Sequence, residues 1–318
     1  MPSPAPTRHF ALAAAATAGA LVTFACGGGS PSSPSPTTTT GGPTTTTAPA
    51  TTTVPIARPP ISISAAADVG WCGLRGAELT GRMLDSLPGP VLLPGDVAYP
   101  DGTVDDFARC YDPFWGRHRN RTYPVPGNHE YHSPGAAPYF AYFGANAGMP
   151  GEGYYSHEMG PWLVIGVNSM IPIGEGSAQL QWLRSTLASN PYKCTLAFWH
   201  HPRFSSGQNG DNGFVSAAFR ALYDANVDLL LAAHDHLYER MAPMDPDGRS
   251  DPARGIRQFT VGTGGASLYS FTNIKPTSEA RASVWGVLRL HLRSDGYDFE
   301  FLSVPGEPFR DVGSGQCH

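Results

Sequence analysis

The residues from Leu229 to His236 have the sequence LLLAAHDH, an apolar run that ends in two histidines separated by one residue. Consecutive apolar residues bounded by polar ones are typical of a short strand that is buried on both faces. Alternate side chains of an extended chain point to the same side, so His234 and His236 would face the same region of space. The segment therefore predicts a buried β-strand that presents two imidazoles at its carboxyl end.

The same arrangement, a short apolar run followed by a carboxylate or an imidazole, occurs at three earlier places in the chain. The runs and the residues that follow them are Ile61–Ala67 with Asp68, Val91–Leu93 with the nearby Asp96, and Thr195–Trp199 with His200. Ligands of open α/β sheets bind beyond the carboxyl ends of the strands. Metal-binding side chains at four such ends predict one shared site.

Segments with helical spacing of apolar residues separate the predicted strands, which also include Leu163–Val167. The predicted helices are Glu78–Leu87, Ser177–Leu187 and Phe214–Ala225, and the predicted antiparallel hairpins are Gly153–Val167 and Val284–Ser303. Alternating strands and helices predict an α/β fold, and the hairpins make its sheets mixed rather than purely parallel.

The N-terminus has the features of an export signal. Arg8 and His9 precede the uncharged apolar run Phe10–Ala25, which is too short to span a membrane comfortably. We assign residues 1–26 as a signal peptide. Cys26 stands where a bacterial lipoprotein carries its lipidated cysteine, but the residues before it match that signal poorly, so envelope anchoring and free secretion both stay open.

Residues 27–60 consist almost entirely of Gly, Ser, Pro and Thr, and they predict a disordered linker because they have almost no apolar surface to bury. The catalytic domain is predicted at 61–318. The chain has 21 basic and 26 acidic residues and a formal net charge of -5, so no basic surface for nucleic acid is evident.

The cysteines provide a separate indication of export. Besides Cys26 there are four, which permit three disulfide pairings in an oxidising compartment. We favour the pairing of Cys72 with Cys110 and of Cys194 with Cys317, which would hold the C-terminal tail.

Five short segments carry the polar residues at the predicted strand ends. They are Asp68-Val69-Gly70, Gly95-Asp96-Val97-Ala98-Tyr99, Gly127-Asn128-His129-Glu130, His200-His201-Pro202 and His234-Asp235-His236. In this order they resemble the motifs of the calcineurin-like metallophosphoesterase superfamily, and within it the purple acid phosphatase-like branch. The resemblance covers 61–318 and implies a four-layer αββα sandwich that forms a single catalytic domain.

The resemblance also implies a role for each motif residue. The ligands of the first ion would be Asp68, Asp96, Tyr99 and His236, and those of the second would be Asp96, Asn128, His200 and His234. His129 would act beside the ions as an acid or a charge stabiliser. His201 would face the substrate, although an exchange of roles with His200 stays open, and Arg203 is a candidate phosphate contact.

Iron with zinc or manganese suits this mixture of oxygen and imidazole ligands. Tyr99 would bind ferric iron, or else pack beside manganese or ferrous iron. The expected activity is hydrolysis of phosphomonoesters by a metal-activated hydroxide, because two ions would both offset the substrate's charge and lower the pKa of water. A phosphodiesterase or nucleotide hydrolase with the same ions, and an inactive surface binding protein, are the alternatives.

Overall fold

The strands that carry the site form where the sequence has short, continuous apolar runs, because such runs bury both faces of a strand. In a computed structural model, which describes residues 58–318, Leu229 and Leu231 belong to the core between two sheets. Leu230 and Ala232 belong to a second core on the outer side of the sheet. The predicted signal peptide, Cys26 and the linker up to residue 57 lie outside the described residues.

The strands, numbered in chain order, are β1 (Ile61–Ala65), β2 (Val91–Pro94), β3 (Thr122–Val125), β4 (Tyr155–Met159), β5 (Trp162–Gly166), β6 (Cys194–Phe198), β7 (Leu229–Ala232), β8 (Tyr238–Met244), β9 (Ile256–Val261), β10 (Ser278–Ala282), β11 (Gly286–Leu292), β12 (Gly296–Ser303) and β13 (Arg310–Gln316). The α-helices are α1 (Gly76–Asp85), α2 (Val104–Asp106), α3 (Asp112–Trp115), α4 (Ala137–Phe143), α5 (Ala178–Ala188) and α6 (Ser216–Asp224). Single turns of other helix types are Phe107–Tyr111, Gly116–Arg121, Glu130–His132, Pro134–Ala136, Gly144–Ala147 and Gly213–Val215.

These strands form two mixed sheets. The first has six strands in the order β13-β12-β11-β1-β2-β3, and the second has seven in the order β10-β8-β9-β7-β6-β5-β4. Neighbours β1, β2 and β3 run parallel in the first sheet, and β5, β6, β7 and β9 run parallel in the second. Parallel pairing brings the carboxyl ends of several strands to one edge of each sheet.

The two sheets pack face to face, with helices covering the outer face of each. Phe198, Phe259 and Leu290 lie in the core between the sheets. Leu183 of α5 and Phe219 of α6 pack on the second sheet, and a third core joins α1, α3 and α4 to the first sheet. This is the expected four-layer αββα sandwich, so the predicted fold class is confirmed.

The predicted elements are found with small changes of boundary. The strands predicted from the apolar runs are β1, β2, β5, β6 and β7, the helices are α1, α5 and α6, and the hairpins are β4–β5 and β11–β12. The prediction for the first strand, Ile61–Ala67, was two residues too long, because the pairing of β1 with β11 ends at Ala65. Among residues 58–318, no helix combines the length and apolar character required to cross a bilayer.

The predicted disulfide pairing is confirmed. Cys72 is bonded to Cys110, and Cys194 is bonded to Cys317. The second bond connects the first residue of β6, in the seven-stranded sheet, to the residue that follows β13 in the six-stranded sheet. It therefore joins the two sheets covalently and holds the C-terminal tail in place.

Candidate metal centre

Three of the predicted ligands have a backbone conformation that is unfavourable for residues with a side chain. Asp68, Asp96 and His234 have φ angles of 57°, 48° and 68°, in the left-handed region. Such a conformation costs about 1–3 kcal/mol and persists where the surrounding structure imposes it. Here the Ala266 N–H donates to the carbonyl of Asp68 at 2.8 Å, and the His234 N–H donates to Asp68 Oδ2 at 3.0 Å. Strain held in place at three strand ends indicates a functional site.

A first group of donor atoms surrounds the hydroxyl of Tyr99. Tyr99 Oη lies 2.8 Å from Asp68 Oδ1, 3.1 Å from Asp96 Oδ2 and 3.0 Å from His236 Nε2. His236 Nε2 is itself 3.4 Å from Asp68 Oδ1. All four residues are buried, with at most 2% of any of them exposed. The first predicted ligand set is therefore brought together.

A second group of donors surrounds His200 Nε2. This nitrogen lies 3.1 Å from Asn128 Oδ1, 3.3 Å from Asp96 Oδ2 and 3.2 Å from His234 Nδ1. Asp96 Oδ2 thus belongs to both groups, as the predicted bridging role requires. Asp96 Oδ1 accepts the backbone N–H of His129 at 3.0 Å, which fixes the orientation of the carboxylate.

The two groups fit metal ions in both spacing and chemistry. Neighbouring ligands of one ion lie about 3 Å apart when metal–ligand bonds are about 2.0–2.2 Å long. The separations in both groups, 2.8–3.4 Å, have this size. The sets combine carboxylate, phenol, amide and imidazole donors, which suits iron, manganese or zinc.

The charges in the site also favour cations. Burial lowers the pKa of His200, but the attraction of Asp96 prevails and raises it to about 9. Burial, followed by the repulsion of His200, lowers the pKa of His234 to about 4. Burial raises the pKa of Asp96, yet His200 outweighs it and the net shift is downward. The shared carboxylate thus remains ionised and His234 remains neutral, as ion binding requires, whereas His200 would have to release a proton when an ion binds.

Hydrogen bonds from surrounding groups determine which imidazole nitrogen faces the centre. His200 Nδ1 lies 2.8 Å from the carbonyl of Pro94, and His236 Nδ1 lies 2.7 Å from that of Ser267. A carbonyl can only accept, so each Nδ1 carries a proton, and each Nε2 is the nitrogen that would present a lone pair to an ion after losing its own proton.

Glu130 connects two of the ligand-bearing loops. Its buried carboxylate accepts the N–H groups of Val97 and Gly127, each at 2.8 Å, and that of Ala98 at 3.2 Å. The loop after β2 is thereby tied to the loop after β3. A Cβ atom at Gly127 would overlap the carboxylate of Asp96, which explains why glycine occupies that position.

His129 lies beside the two donor groups rather than within them. Its Nδ1 contacts the carbonyl of Pro100, and its Nε2 is 3.8 Å from Asp96 Oδ2. The imidazole ring lies 4.2 Å from the ring of Tyr99, and 24% of the side chain is exposed. The role of His129 beside the ions, rather than as a ligand, stays a prediction.

The other two predicted substrate contacts have different surroundings. His201 Nδ1 is 2.9 Å from Ser169 Oγ, and its ring is 4.4 Å from that of His234. His200, His201 and His234 thus form a cluster of three imidazoles, in which His200 contacts Asn128 and Asp96 while His201 contacts Ser169. The assignment of His200 rather than His201 as the ligand stays a prediction. The half-buried Arg203 lies over the ring of Phe204, with its Cζ 4.2 Å from the ring centre, and the phosphate-binding role of Arg203 stays a prediction.

Two residues near the site are not among the predicted site residues. Ser169 contacts His201, and Tyr269 stacks on His236 with a ring separation of 4.0 Å. Ser169 follows β5, so its position at a strand end was the available signal, whereas Tyr269 lies in a loop without a distinctive local pattern. A further group, Cys194, Asp228 and Cys317, also clusters, but its sulfur atoms form a disulfide and are not available to an ion.

Residues 66–238 match the model of the family described as calcineurin-like phosphoesterase, over more than half of the chain. The chain belongs to this family. Among curated proteins it is similar to purple acid phosphatase 21 of Arabidopsis thaliana, with 29% identity over 75% of this chain and 58% of that protein. Purple acid phosphatase 18 of the same plant is 30% identical over 66% of this chain and 51% of that protein. The chain thus spans about half the length of these relatives.

Solved structures with the same fold come from diverse proteins. The purple acid phosphatase PPD1 of yellow lupin, Lupinus luteus, superposes with a TM-score of 0.71 at 17% identity, covering 81% of this chain and 54% of that one. GAP50 of Plasmodium, described as the anchor in the inner membrane complex, superposes with a TM-score of 0.63 at 16% identity, covering 80% and 88%. At such identities the likeness shows the fold alone.

Proposed function

We propose that this chain hydrolyses phosphomonoesters with two metal ions held at the strand ends. The observation that carries the proposal is the pair of donor groups that share one oxygen of Asp96, spaced as the ligands of two adjacent ions. The names of the curated relatives, all purple acid phosphatases, support the monoester class.

The ions would be iron with zinc or manganese, and they would offset the charge of the phosphoryl oxygens and make a water molecule more acidic. Asp68, Tyr99 and His236 would hold the first ion, Asn128, His200 and His234 the second, and Asp96 both. The protein also has to keep these donors in place. Glu130 and the backbone carbonyls that accept from the imidazoles serve this purpose.

His129 would supply the proton that the leaving group needs. Hydrolysis breaks the bond between phosphorus and the ester oxygen, forms a bond between phosphorus and a water oxygen, and leaves the departing oxygen in need of a proton. Because the carbonyl of Pro100 accepts the proton on Nδ1, the proton to be transferred would be the second one, on Nε2 of the positively charged ring, which lies on the side of the donor groups; His129 would become neutral as the leaving oxygen gains it. A positively charged imidazole there would also stabilise negative charge as it develops.

Export from the cytoplasm is also part of the proposal. The two disulfides support it, because such bonds form and persist mainly in oxidising compartments. The exported protein would be either attached to the cell envelope through a lipidated Cys26 or released from the cell. Both possibilities are proposals based on the sequence before the described residues. The proposed partner is a small phosphate ester, with no nucleic acid involved.

The test compares release of 4-nitrophenol from 4-nitrophenyl phosphate and from bis(4-nitrophenyl) phosphate. The chain, produced in an oxidising compartment, would be stripped of metal and reloaded with iron plus zinc, or with manganese. We expect faster cleavage of the monoester. Faster cleavage of the diester would instead favour the phosphodiesterase alternative, and bound metal without cleavage of either would favour a binding protein.

A further inference from the structure

Two aromatic side chains close to the metal centre are unusually exposed. Among residues 58–318, the exposed large hydrophobic side chains are Trp71, Val104, Met149, Phe214, Ile274 and Val312. The two aromatic members, Trp71 at 38% and Phe214 at 50% exposure, are the two that pack against predicted site residues. Exposed aromatic rings are common where a protein binds a ligand.

Trp71 packs on the first donor group from a rigid support. Its ring lies 5.0 Å from that of Tyr99. Its backbone N–H donates to the carbonyl of Val69 at 3.0 Å, and the next residue, Cys72, is bonded to Cys110. The indole is therefore exposed on a backbone that cannot easily move, so little conformational entropy would be lost when a ligand packs against it.

Two further aromatic residues, Phe214 and Tyr269, also pack on residues of the site. The Phe214 ring meets the edge of His201 at 5.1 Å, beside the second donor group. Tyr269, which is partly exposed, stacks on His236 at 4.0 Å with an angle of 13° between the rings. We call Trp71, Phe214 and Tyr269 the aromatic rim, because each is exposed to some degree and packs on a residue of the site.

The charge beside Trp71 limits what kind of molecule the rim would accept. A cavity of about 290 Å³ next to this residue is also lined by Tyr99, Asp105, Asp106 and Arg109. Two carboxylates against one guanidinium leave this cavity with a negative balance. Such a cavity would repel the additional phosphates of a nucleotide and would accept an uncharged group.

We propose that the aromatic rim binds the leaving group of the substrate, and that the preferred substrates are phosphomonoesters with an uncharged aromatic leaving group. This inference rests on the proposed phosphomonoesterase function. The phosphoryl group would occupy the centre, where the donors are buried, while the departing aromatic ring would pack on the exposed rings around it. Each such contact corresponds to a factor of roughly three to ten in kcat/KM.

The test measures kcat/KM for 1-naphthyl phosphate and for glycerol phosphate in the wild type and in two rim variants, Trp71→Leu and Phe214→Leu. The ratio of the two values, compared between proteins, cancels the intrinsic difference in reactivity between the esters. We expect each variant to lower this ratio by roughly three- to tenfold, mainly through KM. Val104→Ala, an exposed apolar residue that is not part of the rim, is the matched control and should keep the ratio.

A second measurement uses only the wild type, so its result does not depend on whether the variants fold. A 1-naphthyl-substituted phosphonate should inhibit the enzyme at a concentration roughly tenfold below that of methylphosphonate. Equal inhibition by the two phosphonates, or an unchanged ratio in both rim variants, would overturn the role of the rim. If the metal-loaded wild type cleaved neither ester, the proposed function itself would fail, so the two failures are distinguishable.

Discussion

Replacing Asp96 by asparagine tests whether one carboxylate serves both ions. Its Oδ2 lies 3.1 Å from Tyr99 Oη in the first donor group and 3.3 Å from His200 Nε2 in the second. Its Oδ1 accepts the N–H of His129 at 3.0 Å. Asparagine preserves the size of the side chain and one accepting oxygen, but it removes the charge that both groups share.

The expected magnitude follows from the charges that would remain. The first donor group would still contain the carboxylate of Asp68, whereas the second would retain only the uncharged donors of Asn128, His200 and His234. Loss of a hydrogen-bonding group behind a ligand already weakens metal binding by about 10–100-fold. Loss of the shared ligand charge should therefore weaken binding of the second ion by more than about 100-fold, or about 2.8 kcal/mol.

The assay combines metal content, measured by mass spectrometry after dialysis, with turnover of 4-nitrophenyl phosphate. We expect Asp96→Asn to keep at most one ion per chain and to lose at least about 99% of turnover, because a single ion offsets less of the phosphoryl charge. Asp298→Asn, which changes an exposed carboxylate on β12, is the control. A variant that retained two ions and full turnover would refute the bridging assignment.

Three further expectations concern other parts of the molecule. His129→Ala should keep both ions but lower kcat by about 10²–10⁴-fold; loss of metal in this variant would instead make His129 a ligand. Asp311→Ala should lower the free energy of unfolding by about 2 kcal/mol, because the buried hydroxyl of Tyr238 loses its acceptor and the half-buried Arg240, 2.7 Å away, keeps only Glu279 as a partner. In urea titrations the exposed-site control Asp298→Ala should change it by under about 1 kcal/mol, and equal effects would contradict this account. Burial raises the pKa of Asp228 to about 7, so the folded state binds the extra proton between about pH 4 and 7, and stability should fall as the pH rises through this range. Asp228→Asn should flatten that dependence, and an unchanged slope would show that another group is responsible.

The structural likeness to GAP50 illustrates that this fold does not by itself establish an activity. That protein is described as a membrane-complex anchor, yet it shares the sandwich with purple acid phosphatase PPD1. A fold can support several functions, and chemistry depends on the side chains placed on it. For this chain, the case for hydrolysis therefore rests on the two donor groups and on the sequence relatives.

Much of this architecture was evident from the sequence because burial imposes local patterns. Leu229–Ala232 is apolar at every position, since one face meets the other sheet and the opposite face meets the helices. Strands β3, β8, β9, β10 and β13 were not predicted; of these, β10 and β13 are largely exposed edge strands and have no such pattern. The family motifs were also recognisable, since strained turns and metal ligands restrict the residue types allowed at the strand ends.

Tertiary structure alone decided which atoms meet. Asp68 and His234 are hydrogen-bonded although 166 positions separate them, and only the pairing of strands in two sheets brings them together. Adjacent imidazoles, those of His200 and His201, have different surroundings because the chain turns between them and Ser169 engages the second. The contacts of Trp71 with Tyr99 and of Phe214 with His201 were likewise invisible, because a local pattern does not specify which distant segment a side chain meets. Local sequence determines which segments become buried, whereas the direction of each side chain depends on packing among distant parts of the chain.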